Sequence, residues 1–134
     1  MDHRTLFLAA AALTVGACAS SSSGPSGFAA DVTVVANAST LTTTAFSPDS
    51  FTISLAGKDT VTWRNADLGS PGDAYGGGAV PGVSHHLVSD STGVFDSGVM
   101  SPGGIFAHTF TSAGTFRYHC AIHPGMVGVI VVTS

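Results

Sequence analysis

Three residues able to bind a soft metal lie near the C-terminal end of this chain. Cys120, His123 and Met126 follow one another with two residues between each pair. A thiolate, an imidazole and a thioether form a ligand set that suits copper, and a trigonal site of two histidines and one cysteine with a long axial methionine is the signature of an electron-transfer copper centre. This stretch lacks only the second histidine, which another part of the chain must supply.

Strand periodicity argues against two of the other histidines as the missing metal ligand. Residues 115–120 alternate as strands do, and successive side chains of a strand point to opposite faces. His119 therefore points away from Cys120 and should not bind the same metal. His108 lies in the alternating segment 105–110 and is expected to point outward as a solvated surface residue.

The adjacent pair His85-His86 offers one inward-facing imidazole, because neighbours in a strand cannot share a face. If Leu87 packs inside, His85 does so too, and His86 points away.

Composition indicates that short strands position these residues. The chain has no glutamate and is rich in glycine, serine, threonine and valine, which favours strands over helices. Seven or eight strands at regular spacing, with no credible helix, are typical of an antiparallel sandwich or barrel. Residues predicted to face the core include Phe51, Ile53, Leu55, Val61 and Trp63. Glycines and prolines predict a loop over residues 65–82, either a spacer or a functional loop.

Length and charge limit the class of protein. A chain of 134 residues has room for one modest domain. Its 44% hydrophobic and 9% charged residues argue against a disordered protein. The net charge of −4 argues against nucleic acid as a partner, since a basic patch would be expected.

The N-terminal segment is predicted to be a targeting signal. Residues 1–17 combine a short basic start with an apolar run of signal-peptide length. Val15-Gly16-Ala17-Cys18 resembles the lipobox of bacterial lipoproteins, which implies a lipidated Cys18 and a membrane-anchored protein on the periplasmic or cell-surface side. Residues 18–27 would then be the lipidated cysteine and a flexible Ser/Gly tether, and 28–134 the domain. The alternative is an ordinary cleaved signal with an incidental cysteine.

The domain resembles the cupredoxins of the plastocyanin and amicyanin kind. Three separated motifs carry the resemblance, and the Cys-x₂-His-x₂-Met spacing is similar to the short ligand loop of amicyanin. The motifs are V-T-W-x-N at 61–65, His85-x-Leu87 followed by Ser89-Asp90 and F-D-S-G at 95–98, and the T-F-x-x-x-G-x-F-x-Y-x-C run at 109–120. The resemblance implies a Greek-key β-sandwich and one type 1 copper that cycles between Cu(I) and Cu(II). Its ligands would be His85, Cys120, His123 and Met126.

Two further positions gain roles from the resemblance. His86 stands where plastocyanins usually have asparagine, a position whose backbone N–H bonds to the cysteine sulfur and whose side chain ties the two ligand loops together. Whether an imidazole can replace that amide is open. His119 matches an exposed aromatic that gives some plastocyanins a second electron route, with a plain surface residue as the alternative. His123 would lie in an exposed apolar patch as the main electron exit.

These features predict a monomeric electron carrier between extracytoplasmic redox partners. An enzyme is not expected, because Ala121 follows the cysteine where multicopper oxidases have histidine, and a binuclear copper site would need a second nearby cysteine. Copper storage or delivery in the cell envelope is the main alternative. A Cys18–Cys120 disulfide and a copper-free adhesion sandwich are weaker ones.

Overall fold

The computed structural model describes residues 29–72 and 76–134, which form eleven β-strands and one short 3₁₀ turn at Ala38–Thr40. The predicted signal peptide, Cys18 and the tether lie outside the described residues. Within those ranges no helix combines the length and the apolar character that a membrane crossing needs. The strands are β1 (Val32–Val34), β2 (Phe46–Ser47), β3 (Ser50–Ser54), β4 (Thr60–Asn65), β5 (Gly69–Ser70), β6 (Val80–Pro81), β7 (His85–Ser89), β8 (Asp96–Met100), β9 (Ile105–Thr109), β10 (Gly114–Cys120) and β11 (Val127–Thr133).

Two main sheets confirm the all-β prediction. One has the strand order β2-β1-β4-β9 and the other β3-β11-β10-β7-β8, while β5 and β6 form a separate ribbon. The expected antiparallel pairing holds for most strand pairs, but β1 pairs with β4 and β3 with β11 in parallel. The expected seven or eight strands are also too few, since the main sheets contain nine.

Aromatic residues from both sheets fill the core. Trp63 on β4 is fully buried, and its ring centroid lies 5.8 Å from that of Tyr118 on β10 and 5.2 Å from that of Phe95. Large rings of this kind contribute much of a small domain's buried apolar area. The prediction that Val61 and Trp63 face the core is confirmed.

His108 does not point outward as expected. Alternation along β9 places it on the face of Phe106 and Phe110, and the exposed face carries Ile105, Ala107 and Thr109. The His108 ring lies 4.8 Å from the ring of Phe110, nearly perpendicular to it, and 5.5 Å from that of Phe95. The prediction is wrong because Ile105 is as apolar as the phenylalanines, so both faces of this strand carry apolar residues and hydropathy does not identify the buried face.

Residues 65–82 are not wholly irregular. Gly69 and Ser70 pair with Pro81 and Val80 in the antiparallel β5–β6 ribbon. Gly69 has a φ of 74°, and a side chain there would collide with the backbone of β6. Glycine at this position therefore permits the close approach of the two strands.

The antiparallel pair of β7 and β10 determines where the predicted ligands lie. Cys120 is opposite Leu87, so the start of β7 and the end of β10 lie side by side at one end of the sheet. Leu87 is buried, and His85 is therefore buried on the same face, as the conditional prediction required.

Candidate metal centre

Three of the four predicted ligands converge at this end of the sheet, beside the start of β7 and the end of β10. Nδ1 of His85 and Nδ1 of His123 each lie 3.8 Å from Sγ of Cys120, and the three donor atoms all lie within 4.8 Å of one another. His85 and Cys120 are buried, whereas His123 is half-buried. The site thus joins the start of β7 to the loop between β10 and β11.

The separations suit a trigonal first-row metal site. Metal–sulfur bonds of about 2.3 Å and metal–nitrogen bonds of about 2.0–2.1 Å at 120° place sulfur and nitrogen about 3.8 Å apart. The two sulfur–nitrogen distances in the structure have this value. A thiolate with two imidazoles is also the donor set that copper prefers in electron-transfer sites. The residues present therefore fit a copper ion.

The surroundings of Cys120 lower the pKa of its thiol and so favour the thiolate that binds metal. Burial alone would raise its pKa, but hydrogen bonds from His85, from the backbone N–H of His86 and from His123 lower that pKa to about 6. The thiolate is the form that binds metal, so these donors favour the ligating form near neutral pH. The pKa of His85 is raised above its usual value despite burial, by hydrogen bonds to Cys120 and to a second acid, Asp67.

Met126 is fully buried at the end of the ligand loop. Its backbone N–H donates to the carbonyl of His123 at 3.0 Å, and its carbonyl accepts from the N–H of Cys120 at 3.1 Å. These two bonds fold the loop into a compact turn and bring residue 126 back beside Cys120. The backbone of residue 126 therefore lies beside that of Cys120, and the role of Met126 as the fourth ligand stays a prediction.

His86 fulfils the backbone role expected of its position, but its side chain does something else. The His86 N–H donates to Cys120 Sγ at 3.4 Å, and the His86 carbonyl accepts from the N–H of Ala121 at 2.7 Å. The imidazole instead contacts Asp96, with Nε2 2.5 Å from Oδ1. The tie between the two ligand segments is therefore made by the backbone of His86, which bonds to Sγ of Cys120 and to the N–H of Ala121, and not by its imidazole.

Comparison with known proteins agrees with this geometry. The family described as "Copper binding proteins, plastocyanin/azurin family" matches residues 32–133, which is most of the chain. The chain belongs to the plastocyanin/azurin family of copper-binding proteins.

Solved structures of cupredoxins resemble this one. A purple cupredoxin from Nitrosopumilus maritimus is 26% identical, with a TM-score of 0.61 over 78% of this chain and 99% of its own. A copper-containing nitrite reductase from Thermus scotoductus is 29% identical, with a TM-score of 0.50 over 66% of this chain. The match spans only 20% of the reductase. An amicyanin variant is 28% identical over 63% of this chain and 69% of its own, with a TM-score of 0.46.

His119 lies outside the donor cluster of this cupredoxin, as strand alternation predicted. Its Nδ1 contacts Oδ1 of Asp90 at 2.6 Å, and both side chains are partly exposed. His119 and Cys120 are adjacent in β10, and adjacent residues of a strand point to opposite faces. Its role as an electron route stays a prediction.

The sequence reasoning missed Asp67. This carboxylate is 2% exposed, and its Oδ2 lies 3.1 Å from Nε2 of His85. The only signal was an aspartate two residues after Asn65, at the end of a predicted strand. That signal is weak, because aspartate is common in loops.

Proposed function

We propose that this cupredoxin is a single-electron carrier with one type 1 copper held by His85, Cys120, His123 and Met126. The observation that carries the proposal is that one imidazole nitrogen from each of two histidines lies 3.8 Å from the Cys120 sulfur. Bound copper would supply a one-electron couple between Cu(I) and Cu(II). A trigonal donor set with an axial methionine is suited to that use.

The protein contributes a rigid set of donors. Cys120 ends a strand that is hydrogen-bonded on both sides, and its Sγ accepts the N–H of His86. The Ala121–His86 backbone bond holds the two ligand segments at one separation. Donors fixed in this way change little when the charge of the site changes, which favours fast electron transfer over metal release.

His123 would be the point where electrons enter and leave. It is half-buried, while its neighbours Ala121, Ile122, Pro124 and Gly125 are exposed. Ile122 is 47% exposed, so the loop presents a large apolar side chain to solvent. We expect redox protein partners to contact this uncharged loop, and the carrier to act as a monomer. His119, in contact with Asp90, would offer a second route for electrons.

Catalysis of a substrate reaction is not part of this proposal. Ala121 replaces the histidine that would couple the site to a trinuclear cluster, and the four ligands together leave no open position for substrate. The resemblance to nitrite reductase covers only a fifth of that enzyme.

Copper reconstitution tests the proposal. The wild-type protein loaded with Cu(II) should show intense visible absorption from thiolate-to-copper charge transfer and a type 1 paramagnetic resonance spectrum. Cys120→Ser should abolish the colour because it removes the thiolate. His119→Gln is the matched control, since it alters the adjacent residue on the opposite face and should keep the colour.

Two results would contradict the proposal. A colourless copper-loaded wild type would exclude a type 1 centre. Release of the metal on each reduction would favour copper storage or delivery, because a carrier must retain copper through repeated cycles.

We also propose that the carrier is exported and anchored to a membrane through lipidated Cys18, so that its partners are extracytoplasmic. The lipobox-like segment before Cys18 supports this. Two or more acyl chains give stable anchoring where one is marginal. Labelling of the expressed full chain with a radioactive fatty acid, lost in Cys18→Ser, is the expected result. An unlabelled wild type would exclude the anchor.

A further inference from the structure

The buried carboxylate behind His85 has no role in the ligand set. We propose that Asp67 is a positioning residue for the copper site, which holds His85 with Nδ1 toward the metal and lowers the reduction potential of the centre. The inference rests on the proposed copper-binding function and adds a residue to it.

Asp67 joins two donors that only a carboxylate can satisfy together. Its Oδ1 accepts the backbone N–H of Asn37 at 3.0 Å, and its Oδ2 lies 3.1 Å from Nε2 of His85. The side chains of Asp67 and His85 are 3% and 0% exposed, so water cannot replace either bond. An ionised carboxyl group has two acceptor oxygens, whereas an amide has one acceptor and one donor group.

The contact determines which ring nitrogen of His85 faces the metal. Because the carboxylate only accepts, Nε2 must carry a hydrogen, which leaves Nδ1, 3.8 Å from Cys120 Sγ, as the nitrogen that can give its lone pair to a metal. The second nitrogen of a metal-binding histidine is commonly held in this way, and the bond raises the basicity of the ligand. Asp67 thus holds the hydrogen on Nε2, so that Nδ1 of His85 remains the metal ligand.

The position of Asp67 is determined by the fold and not by the metal. Its N–H donates to Oδ1 of Asn65 at 3.0 Å, and its carbonyl accepts the N–H of Val83 at 2.9 Å. The Asn65 amide in turn donates to the carbonyls of Val83 at 2.8 Å and Met100 at 3.0 Å. Asn65, Asp67 and His85 are the buried hydrophilic residues of the described ranges, and they form one connected network.

A more basic His85 stabilises Cu(II) more than Cu(I), because the higher charge gains more from a stronger donor. Loss of such a supporting contact typically weakens metal affinity 10- to 100-fold. If only the affinity for Cu(II) falls, each tenfold loss of that affinity raises the one-electron reduction potential by about 59 mV. Asp67→Asn is therefore expected to raise the potential by about 60–120 mV and to weaken Cu(II) binding 10- to 100-fold.

The experiment compares copper-loaded wild type, Asp67→Asn and Asp96→Asn by protein-film voltammetry and Cu(II) competition titration. Asp96→Asn is the matched control, since it removes the same charge and also breaks a histidine–carboxylate contact, but one made by the outward-facing His86. Its potential should stay close to that of the wild type. Equal potentials in Asp67→Asn and wild type, or equal shifts in both variants, would overturn the inference.

A measurement on the wild type covers the case in which Asp67→Asn does not fold. In the Zn(II)-loaded protein, nitrogen-15 spectra should show a His85 Nε2–H that exchanges slowly with water, because it is buried and bonded. A rapidly exchanging Nε2–H would contradict the positioning role. A wild type that binds no copper defeats the proposed function and this inference together, whereas a blue wild type with an unmoved potential in Asp67→Asn defeats this inference alone.

Discussion

His108 is packed against the rings of Phe95 and Phe110 and has no acidic partner among the described contacts. Burial lowers its pKa below the usual 6.5. The folded protein therefore binds this proton less well than the unfolded chain does. Below a pH of about 6.5 the unfolded state is protonated first, so stability falls as the pH falls until His108 is itself protonated in the folded state.

His108→Gln should remove this contribution. Urea unfolding of the metal-free wild type and variant at pH values from about 5 to 8 measures it. The difference in unfolding free energy between the two proteins should move in favour of the variant as the pH falls. The other histidines and Cys120 are common to both proteins and cancel. A difference that does not change with pH would show that His108 titrates normally.

Single residues divide into those the sequence could predict and those it could not. Cys120, His123 and Met126 were predictable because their spacing is local, and His85 because alternation with Leu87 assigns its face. Asp67 was not predictable, since its contact with His85 depends on how a loop lies against a strand 18 residues later. His108 was assigned to the wrong face because both faces of its strand carry apolar residues.

At the scale of elements, the Tyr118 side chain on β10 occupies the space where a side chain of residue 128 on β11 would lie, so this position must be glycine. Gly128 lies opposite Tyr118, and a Cβ at residue 128 would lie 2.5 Å from the Tyr118 hydroxyl oxygen. Tyr118 is 1% exposed and cannot move out of the way. Gly128→Ala should thus destabilise the domain by about 1–3 kcal/mol, the usual cost of overpacking a core.

Chemical denaturation of the metal-free protein measures this change, with Gly57→Ala as the control. A Cβ at residue 57 has no atom within 4 Å, so that substitution should have little effect. Similar midpoints for both variants would mean that the sheet relaxes around Tyr118. The result bears on the metal site too, because Tyr118 lies two residues before Cys120 in the same strand.

Element types were more predictable than their pairing. Alternation and turn residues indicate where the strands lie, because both are local properties of the chain. The parallel pairs β1–β4 and β3–β11 join distant segments, and no local pattern distinguishes them from antiparallel ones. The β5–β6 ribbon was missed because two-residue strands of glycine, serine and proline carry no hydrophobic periodicity.

At the scale of the whole molecule, the metal centre joins segments that meet only in the folded state. Cys120, His123 and Met126 are close in sequence, but His85 reaches them through the β7–β10 pairing. Folding therefore creates the complete site, and metal that binds the native state more tightly than the unfolded chain must stabilise the fold. The gain is about 2.7 kcal/mol when the free metal concentration is 100 times the dissociation constant.

Anaerobic urea unfolding with and without Cu(I) checks this expectation, because Cu(I) does not oxidise the free thiol. Copper should raise the unfolding midpoint of the wild type and leave that of Cys120→Ser nearly unchanged. His85→Gln separates the two halves of the site: it keeps the local Cys-x₂-His-x₂-Met motif, which can bind metal in the unfolded chain as well, so its gain should be much smaller than that of the wild type. An equal gain in His85→Gln would mean that His85 contributes nothing to the preference of the metal for the folded state.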